Sequence, residues 1–371
     1  MQPDWRVQPP RTVRITFLMP ADDLSGGNRV VATYAQRLQA RGHQVLVVSN
    51  APDRPDWRAR WRLLRRSGVG AAMRRERAQP GHVALSGVPH RVLPRPRPIT
   101  AADLPDADVV VATWWETARW MHALPPSKGR PVHLVQGYET WLGADTVPKV
   151  HATLRLPNCK IAISHALRRE IEAELGDIGL QVVPNAVDLD HFTAPARPRG
   201  EPPTVGFIYS TAAIKGSDVC LQAIAIARQR CPELRVACFG TEPPHPDLPL
   251  PDGAEHVLRP AQSALPGLYA RCDVWLFGSR RDSFGLPVLE AMACRTPVVA
   301  VPIGAAPELL ADGGGVLLAN ADPAAMADAL LGLCTGPAER WQAASDAAWQ
   351  RARAYSWDDA TDRLLAALGS A

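Results

Sequence analysis

Short apolar runs alternate along the chain with longer stretches in which apolar residues recur every three or four positions. The runs VRITFLMP (13–20), QVLVVSN (44–50), DVVVAT (108–113), VHLVQG (132–137) and KIAIS (160–164) have the length of strands. Helix-like segments follow them, such as GGNRVVATYAQRLQARG, which closes at Gly42. Strands that are apolar on both faces belong to parallel sheets covered on both sides. The rhythm breaks at HFTAPARPRGEPP (191–203), whose proline content is that of a linker. It then restarts with TVGFIYS, RVACFG, VWLFGS and PVVAVP. The pattern predicts an α/β protein with two doubly wound, Rossmann-like parallel sheets joined by a hinge. The expected boundaries are 1–195, 196–350 and a terminal segment 351–371.

A chain of 371 residues is comfortable for two domains of ordinary size. Its 46% apolar and 21% charged residues are those of a soluble globular protein. No apolar run approaches the roughly 20 residues needed to cross a bilayer. The opening MQPDWRVQPPRTVRITFLMP lacks the order of a signal peptide. Seven cysteines without a C-x-x-C pair argue against zinc and against a disulfide framework, so a cytoplasmic location is expected. Charge is uneven. Residues 1–195 hold 26 of the 41 Lys and Arg against 18 of the 37 Asp and Glu, a balance of +8, and the rest carries −4. Much of the excess lies in RPDWRARWRLLRRSGVGAAMRRER (54–77), with nine arginines, two acids and two tryptophans. That mixture suits peripheral contact with an anionic membrane surface, or simply a solvated arginine-rich helix. No nucleic-acid partner is expected.

The densest chemistry sits in RDSFGLPVLEAMACRTPVV (281–299), where Asp282 and Glu290 stand eight positions apart. VWLFGS reads as a strand, RRDSFGL as a loop and PVLEAMAC as a helix with Pro287 in its first turn. In doubly wound sheets ligands bind beyond the carboxyl ends of the strands, where helix N-termini point inward. The N–H groups near Phe284, Gly285 and Leu286 would hold an anion such as a pyrophosphate. Gly285 would let it approach closely. Glu290, deeper in the helix, has an acceptor-only carboxylate suited to a vicinal diol, and Asp282 could take the hydroxyls of a second polyol. A phosphate flanked by two polyols describes a sugar nucleotide.

These residues resemble the signature E-x-F-G-L-x-x-x-E-A-M-A-C-G-x-P-V-V of retaining, GT-B-fold glycosyltransferases of family four. The match holds at Phe284, Gly285, Leu286, Glu290, Ala291, Met292, Ala293, Cys294, Pro297, Val298 and Val299. It departs at Asp282, one methylene shorter than the usual Glu, and at Arg295, where glycine is common. The resemblance extends to SGGNRVVATYAQRLQARGHQVLVV, PNAVDLDHF, VPIGAAPELL and AYSWDDATDRLLAAL. VQGYETW is similar to a segment of members that build bacterial surface polysaccharides.

The resemblance implies two Rossmann-like domains facing a cleft: an acceptor domain, then a sugar-nucleotide domain, with the terminal helix packing back on the first. It implies ribose hydroxyls on Glu290, the transferred sugar on Asp282 and the donor phosphates near Gly26 and Gly27. It also implies a phosphate-neutralising pair, Arg then Lys. Lys215 is present, but Tyr209 and Ser210 stand where the Arg would lie, with hydroxyls that can donate to phosphate yet supply no charge. Arg280 or Arg281, directly before Asp282 and Ser283, is the candidate substitute. Gln136 stands where many members carry a histidine. Trp114, Trp115, Glu116, Tyr138 and Glu139 are candidates for an acceptor cleft or for packing, and His165 reads as structural. DLD (188–190) mimics a D-x-D metal motif but reads better as a turn, so no metal or other cofactor is expected.

The function to expect is transfer of a sugar, with retention and by front-side attack, from a nucleotide-diphosphate sugar to a glycan or lipid-linked acceptor. Lys215, Asp282 and Glu290 would be the central residues. A sugar-nucleotide epimerase of the same fold, or a binding protein without activity, are the competing classes. A dehydrogenase is disfavoured, since no G-x-G-x-x-G follows the first strand.

Overall fold

The first strand, β1 (Arg14–Met19), buries five of its six residues, as a strand covered on both faces must. It belongs to a computed structural model that describes residues 12–52 and 80–369, so the arginine-rich stretch 54–77 and its expected membrane contact lie outside the described residues. After α1 (Gly26–Ala40) come β2 (Gln44–Ser49), the short α2 (His82–Ser86), β3 (His90–Val92), β4 (Val109–Ala112) and α3 (Trp115–His122). β5 (Arg130–Val135), α4 (Val147–Leu154), β6 (Cys159–Ala162), α5 (His165–Leu175) and β7 (Leu180–Val182) follow. The strands form one seven-stranded sheet in the order β3-β2-β1-β4-β5-β6-β7. β1 runs parallel to both neighbours, with Ile15 opposite Val45 on one side and Val109 on the other. The strand order reverses at β1, which makes the carboxyl end of that strand a switch point. Leu18, Val48, Val110 and Ala112 meet Ala118 and Met121 of α3 in a core cluster on one face.

The second sheet repeats the plan. β8 (Thr204–Ile208), α6 (Ser217–Arg228), β9 (Arg235–Gly240), β10 (Glu255–Leu258), α7 (Leu265–Ala270) and β11 (Val274–Phe277) lead to α8 (Leu286–Ala293). Then come β12 (Val298–Ala300), α9 (Ala306–Leu309), β13 (Gly315–Leu317), α10 (Pro323–Cys334), α11 (Ala338–Ala352) and α12 (Trp357–Gly369). The order is β10-β9-β8-β11-β12-β13, every pairing parallel. The switch point here lies between β8 and β11. Helix starts follow their capping chemistry: Ser164 Oγ accepts from Leu167 N–H at 3.0 Å, and Asp322 caps α10 with Pro323 behind it.

The described residues cluster into two compact units. One takes the chain through Ile161, Asp177–Gln181 and the stretch from Leu364 on; the other takes Ala162–Gly176 and Val182–Arg363. The proline-rich stretch therefore falls inside the second unit instead of bridging two domains as a loose linker. The buried Asp273 explains this. Its carboxylate accepts from Arg197 Nη1 at 2.7 Å, Gly200 N–H at 2.8 Å and Thr204 N–H at 2.7 Å. The Arg197 guanidinium lies over the Trp341 ring, 5.0 Å from its centroid. Upstream, His191 reaches the Gln262 carbonyl and Phe192 lies edge-on to Tyr269. Prolines here remove N–H groups, but arginine and aspartate restore the attachment.

Arg295, one of the departures from the family pattern, has φ +61 just past α8, a left-handed conformation that glycine adopts without penalty. Its guanidinium pairs with Asp346 at 2.6 Å and lies 4.2 Å from the Trp349 ring centroid, so the side chain clamps α11 in return for the backbone strain. Six of the seven cysteines are buried, and burial raises the thiol pKa throughout that set. Among the described residues no helix is long and apolar enough to cross a membrane.

The first sheet buries an uncompensated histidine. Burial, then the nearby Lys160 ammonium, lowers His133 from its ordinary 6.5 to about 3, while Lys160 itself donates to the carbonyls of Leu156 and Asn158. Such a neutral imidazole stabilises the fold fully above pH 6.5, and that contribution is lost as pH falls towards 3, where the unfolded chain alone takes the proton. The wild-type melting temperature should therefore drop between pH 7 and pH 4.5, and His133→Leu should flatten that drop in a thermal melt. Asp273→Asn should cost about 2–4 kcal/mol, because the carboxylate is the common acceptor of three donors, read as a lowered midpoint in urea.

Candidate functional site

Two turns meet at the carboxyl edge of the second sheet, where β8 and β11 lie side by side. The turn after β8 carries Lys215 and enters α6; the turn after β11 carries Asp282 and enters α8. Glycine sets their spacing. Gly216 has φ +64, and a Cβ on it would run into the Gly278 carbonyl, so only a glycine lets the backbones approach this closely. Arg280 then stitches the turns together: its N–H donates to Ile214 O at 2.8 Å, and its guanidinium reaches Ala213 O and both oxygens of Asp218. Lys215 Nζ consequently faces Asp282 Oδ2 at 3.3 Å, with the lysine partly exposed and the carboxylate largely covered.

The other Asp282 oxygen turns inward and accepts from Phe284 N–H at 3.2 Å and Gly285 N–H at 2.7 Å. Gly285, with φ +87, starts α8 from the left-handed region. Gly304 packs against the carbonyls of Asp282 and Phe284, and Ser164 Oγ donates to Ser283 O at 2.8 Å. Just over one turn into α8, Glu290 is 4% exposed, and its Oε2 accepts from the Tyr269 hydroxyl at 2.8 Å. A fixed cation, a fixed carboxylate and a second, buried carboxylate thus share one edge of one sheet. That set can hold an anion and hydroxyl groups together.

Several expected roles change in detail. The N–H groups of Phe284 and Gly285, expected to await an anion, are taken by Asp282, because the shorter aspartate reaches back to its own turn. Leu286 opens α8 half-buried. Tyr209, expected to donate to phosphate, is buried; its hydroxyl donates to Leu248 O and accepts from His245 N–H, both at 2.8 Å. It pins the 245–248 loop. Ser210 Oγ accepts from Ala212 N–H and so shapes the turn. Arg280, the candidate replacement cation, is held by Asp218, which raises the guanidinium pKa and lowers that of the acid. Arg281 lies 3.9 Å from Glu170. The Asp188 carboxylate accepts from Asp190 N–H and His191 N–H, the turn role read from the sequence. A cavity of about 350 Å³ opens beside the first turn, lined by Ser210, Thr211, Asp218, His245 and Asp247.

In the first unit, Gly26 and Gly27 open α1 beyond β1, and the Gln136 amide lies against Gly27, 3.5 Å from where a Cβ would stand. Trp115 is buried under Arg119, whereas Trp114 is half-buried and meets Trp141 edge-on at 6.4 Å. Glu116 is exposed. Tyr138 is packed, its hydroxyl 2.6 Å from His151 Nε2. His165, read as structural, is exposed and lines a space of about 210 Å³ with Asn185, Arg351 and Tyr355. Nothing in the sequence pointed to the Tyr269 contact with Glu290, since the two lie 21 positions apart without a shared motif. The Gly216–Gly278 approach was signalled only by a glycine directly before α6 and another directly after β11.

Residues 24–191 match the family model Glycosyltransferase Family 4, and residues 202–335 match Glycosyl transferases group 1. A D-inositol 3-phosphate glycosyltransferase of Actinosynnema mirum is 35% identical over 215 residues, 51% of this chain and 51% of that protein. Its counterpart in Mycobacterium avium is 34% identical over 209 residues, 50% of this chain and 48% of that one. The chain spans about half the length of these curated relatives. Among solved structures, Anabaena HepE in complex with UDP and glucose aligns with a TM-score of 0.73 at 17% identity, covering 97% of this chain and 100% of that one. Sucrose-phosphate synthase from Thermosynechococcus elongatus aligns at 0.71 and 16%, covering 95% and 98%. At those identities the likeness speaks for the fold, which is GT-B as expected. With one family model over each half and an overall fold shared with both neighbours, the chain belongs to the family-four glycosyltransferases of the GT-B fold.

Proposed function

We propose that this protein transfers a sugar, with retention of configuration, from a nucleotide-diphosphate sugar to a hydroxyl of a glycan or lipid-linked saccharide. The observation that carries the reading is the edge where Lys215 faces Asp282 at 3.3 Å beside the buried Glu290. Glu290 takes the ribose hydroxyls, held in orientation by the Tyr269 hydroxyl. Asp282 Oδ2 takes a hydroxyl of the transferred sugar. Lys215 sits between that sugar and the diphosphate, where negative charge grows as the bond from the anomeric carbon to the phosphate oxygen breaks. The acceptor oxygen bonds to the same carbon from the side the diphosphate leaves, and the acceptor proton passes to the departing oxygen. The enzyme's part is to position the reactants and stabilise that charge. HepE has also been solved with UDP-glucose, which supports a nucleotide-sugar donor.

The resemblance of VQGYETW to surface-polysaccharide enzymes favours a cell-envelope acceptor, handled at the inner face of the cytoplasmic membrane with the basic segment 54–77 as the peripheral contact. The relatives' name points instead to inositol 3-phosphate, so both acceptors belong in one assay. Incubation with UDP-, GDP- and dTDP-sugars, each with a membrane-glycolipid extract or with inositol 3-phosphate, should release free nucleoside diphosphate. Binding of a donor without release in any combination would overturn the assignment. In the active combination, Lys215→Ala should lower kcat by about 10²–10³-fold. Glu290→Gln should raise the donor KM by about tenfold and leave affinity for inorganic pyrophosphate unchanged in calorimetry.

A further inference from the structure

We propose that the cavity of about 210 Å³ beside the start of α5 binds a neutral polyol the size of one sugar ring, held by the Asn185 amide and the Arg351 guanidinium. Every residue that lines the cavity belongs to the second unit, and Lys215, Asp282 and Glu290 are not among them. Such a site needs no donor and would exist whether or not the chain transfers sugar. Main-chain bonds fix the segment that carries Asn185. Its N–H donates to Ile163 O at 3.1 Å just past β6, and two residues on, Val187 N–H donates to Tyr355 O at 2.9 Å. Asn185 is 2% exposed, and among the described residues its Oδ1 is buried without a hydrogen-bond partner. Arg351 Nε, on the same cavity, is buried and unpartnered as well. Buried polar atoms in that condition are costly to the fold and point to a ligand that would satisfy them.

Charge decides against an ionic ligand. Arg351 pairs with Asp312 at 3.0 Å, Arg363 with Asp359 at 2.8 Å, and Arg169 with Glu308 at 3.4 Å. Each guanidinium is matched by one carboxylate, so the fixed charges around the cavity cancel. Polar groups of both kinds remain. Asn185 Oδ1 calls for a donor and Arg351 Nε for an acceptor. The Tyr355 hydroxyl accepts from Arg351 Nη2 at 3.2 Å and keeps its own proton to give. A polyol offers a donor and an acceptor on every hydroxyl and meets this mixed lining without carrying charge, whereas an anion would leave Oδ1 unmatched. Pro184 and Ala186 supply an apolar wall for the C–H groups of a ring. Volume sets the size: about 210 Å³ is below the roughly 300–1,000 Å³ that takes a drug-sized ligand, which leaves room for a single ring.

The test is saturation-transfer NMR on the full chain without any donor, with myo-inositol, methyl glucoside and the disaccharide maltose as neutral probes and inorganic phosphate as the charged one. Wild type should transfer saturation to at least one neutral probe, and phosphate at equal concentration should not displace it. Ala354→Trp, which sets an indole at an exposed position of the cavity wall, should abolish the signal with the melting temperature unchanged. Asn185→Ala should weaken binding about tenfold. A stronger response from maltose assigns the site to the end of a glycan chain, and a stronger one from a single ring assigns it to a free sugar or cyclitol; both support the proposal. Silence from every neutral probe, displacement by phosphate, or a signal untouched by Ala354→Trp would overturn it.

Discussion

The geometry of the edge that carries Lys215, Asp282 and Glu290 rests on one constraint, the closeness of two backbones at Gly216 and Gly278. Because neither carries a side chain, the turns after β8 and β11 touch, and everything nearby is arranged around that contact. Arg280 can span from one turn to Asp218 on the other, and Lys215 can reach Asp282. Any Cβ at Gly216 would force the turns apart and separate the cation from the carboxylate without altering either. The chemistry of the edge is therefore a property of main-chain packing before it is a property of charged groups.

The two departures from the family pattern have local explanations of different kinds. Aspartate at position 282 is short enough to accept from the N–H groups two and three residues on, so it closes its own turn and keeps one oxygen facing Lys215. Arginine at position 295 accepts a strained backbone and gains an ion pair and a stacked indole on α11. The first redistributes polar capacity within the site; the second strengthens the scaffold behind it. The absent arginine near position 209 belongs with them. Tyr209 turns inward and fastens the 245–248 loop, Arg280 is committed to Asp218, and Lys215 is a cation directed at Asp282.

The alternation of apolar runs and helical segments was legible because both sheets are parallel and buried, so the strands appear as unbroken apolar stretches. The signature was legible because its residues are consecutive. What the chain did not disclose depended on contacts across sequence distance. The proline-rich stretch looked like a linker, yet Asp273, about 70 positions away, holds it to the second unit through Arg197, Gly200 and Thr204. Tyr209 looked like a hydroxyl available to phosphate until the structure supplied its partners in the 245–248 loop. Composition cannot show which polar groups are already satisfied, and that accounting separates a binding residue from a fastener.

The distribution of cysteines has a practical consequence. With the thiols of Cys220, Cys231, Cys238, Cys272, Cys294 and Cys334 buried and held protonated, only the half-buried Cys159 offers sulfur near the surface, and its thiol is also driven towards the neutral form. The native chain is thus a quiet background for maleimide chemistry. A single new cysteine on an exposed position of either sheet's carboxyl edge would carry a fluorophore or spin label almost alone, without stripping the interior of its own sulfur.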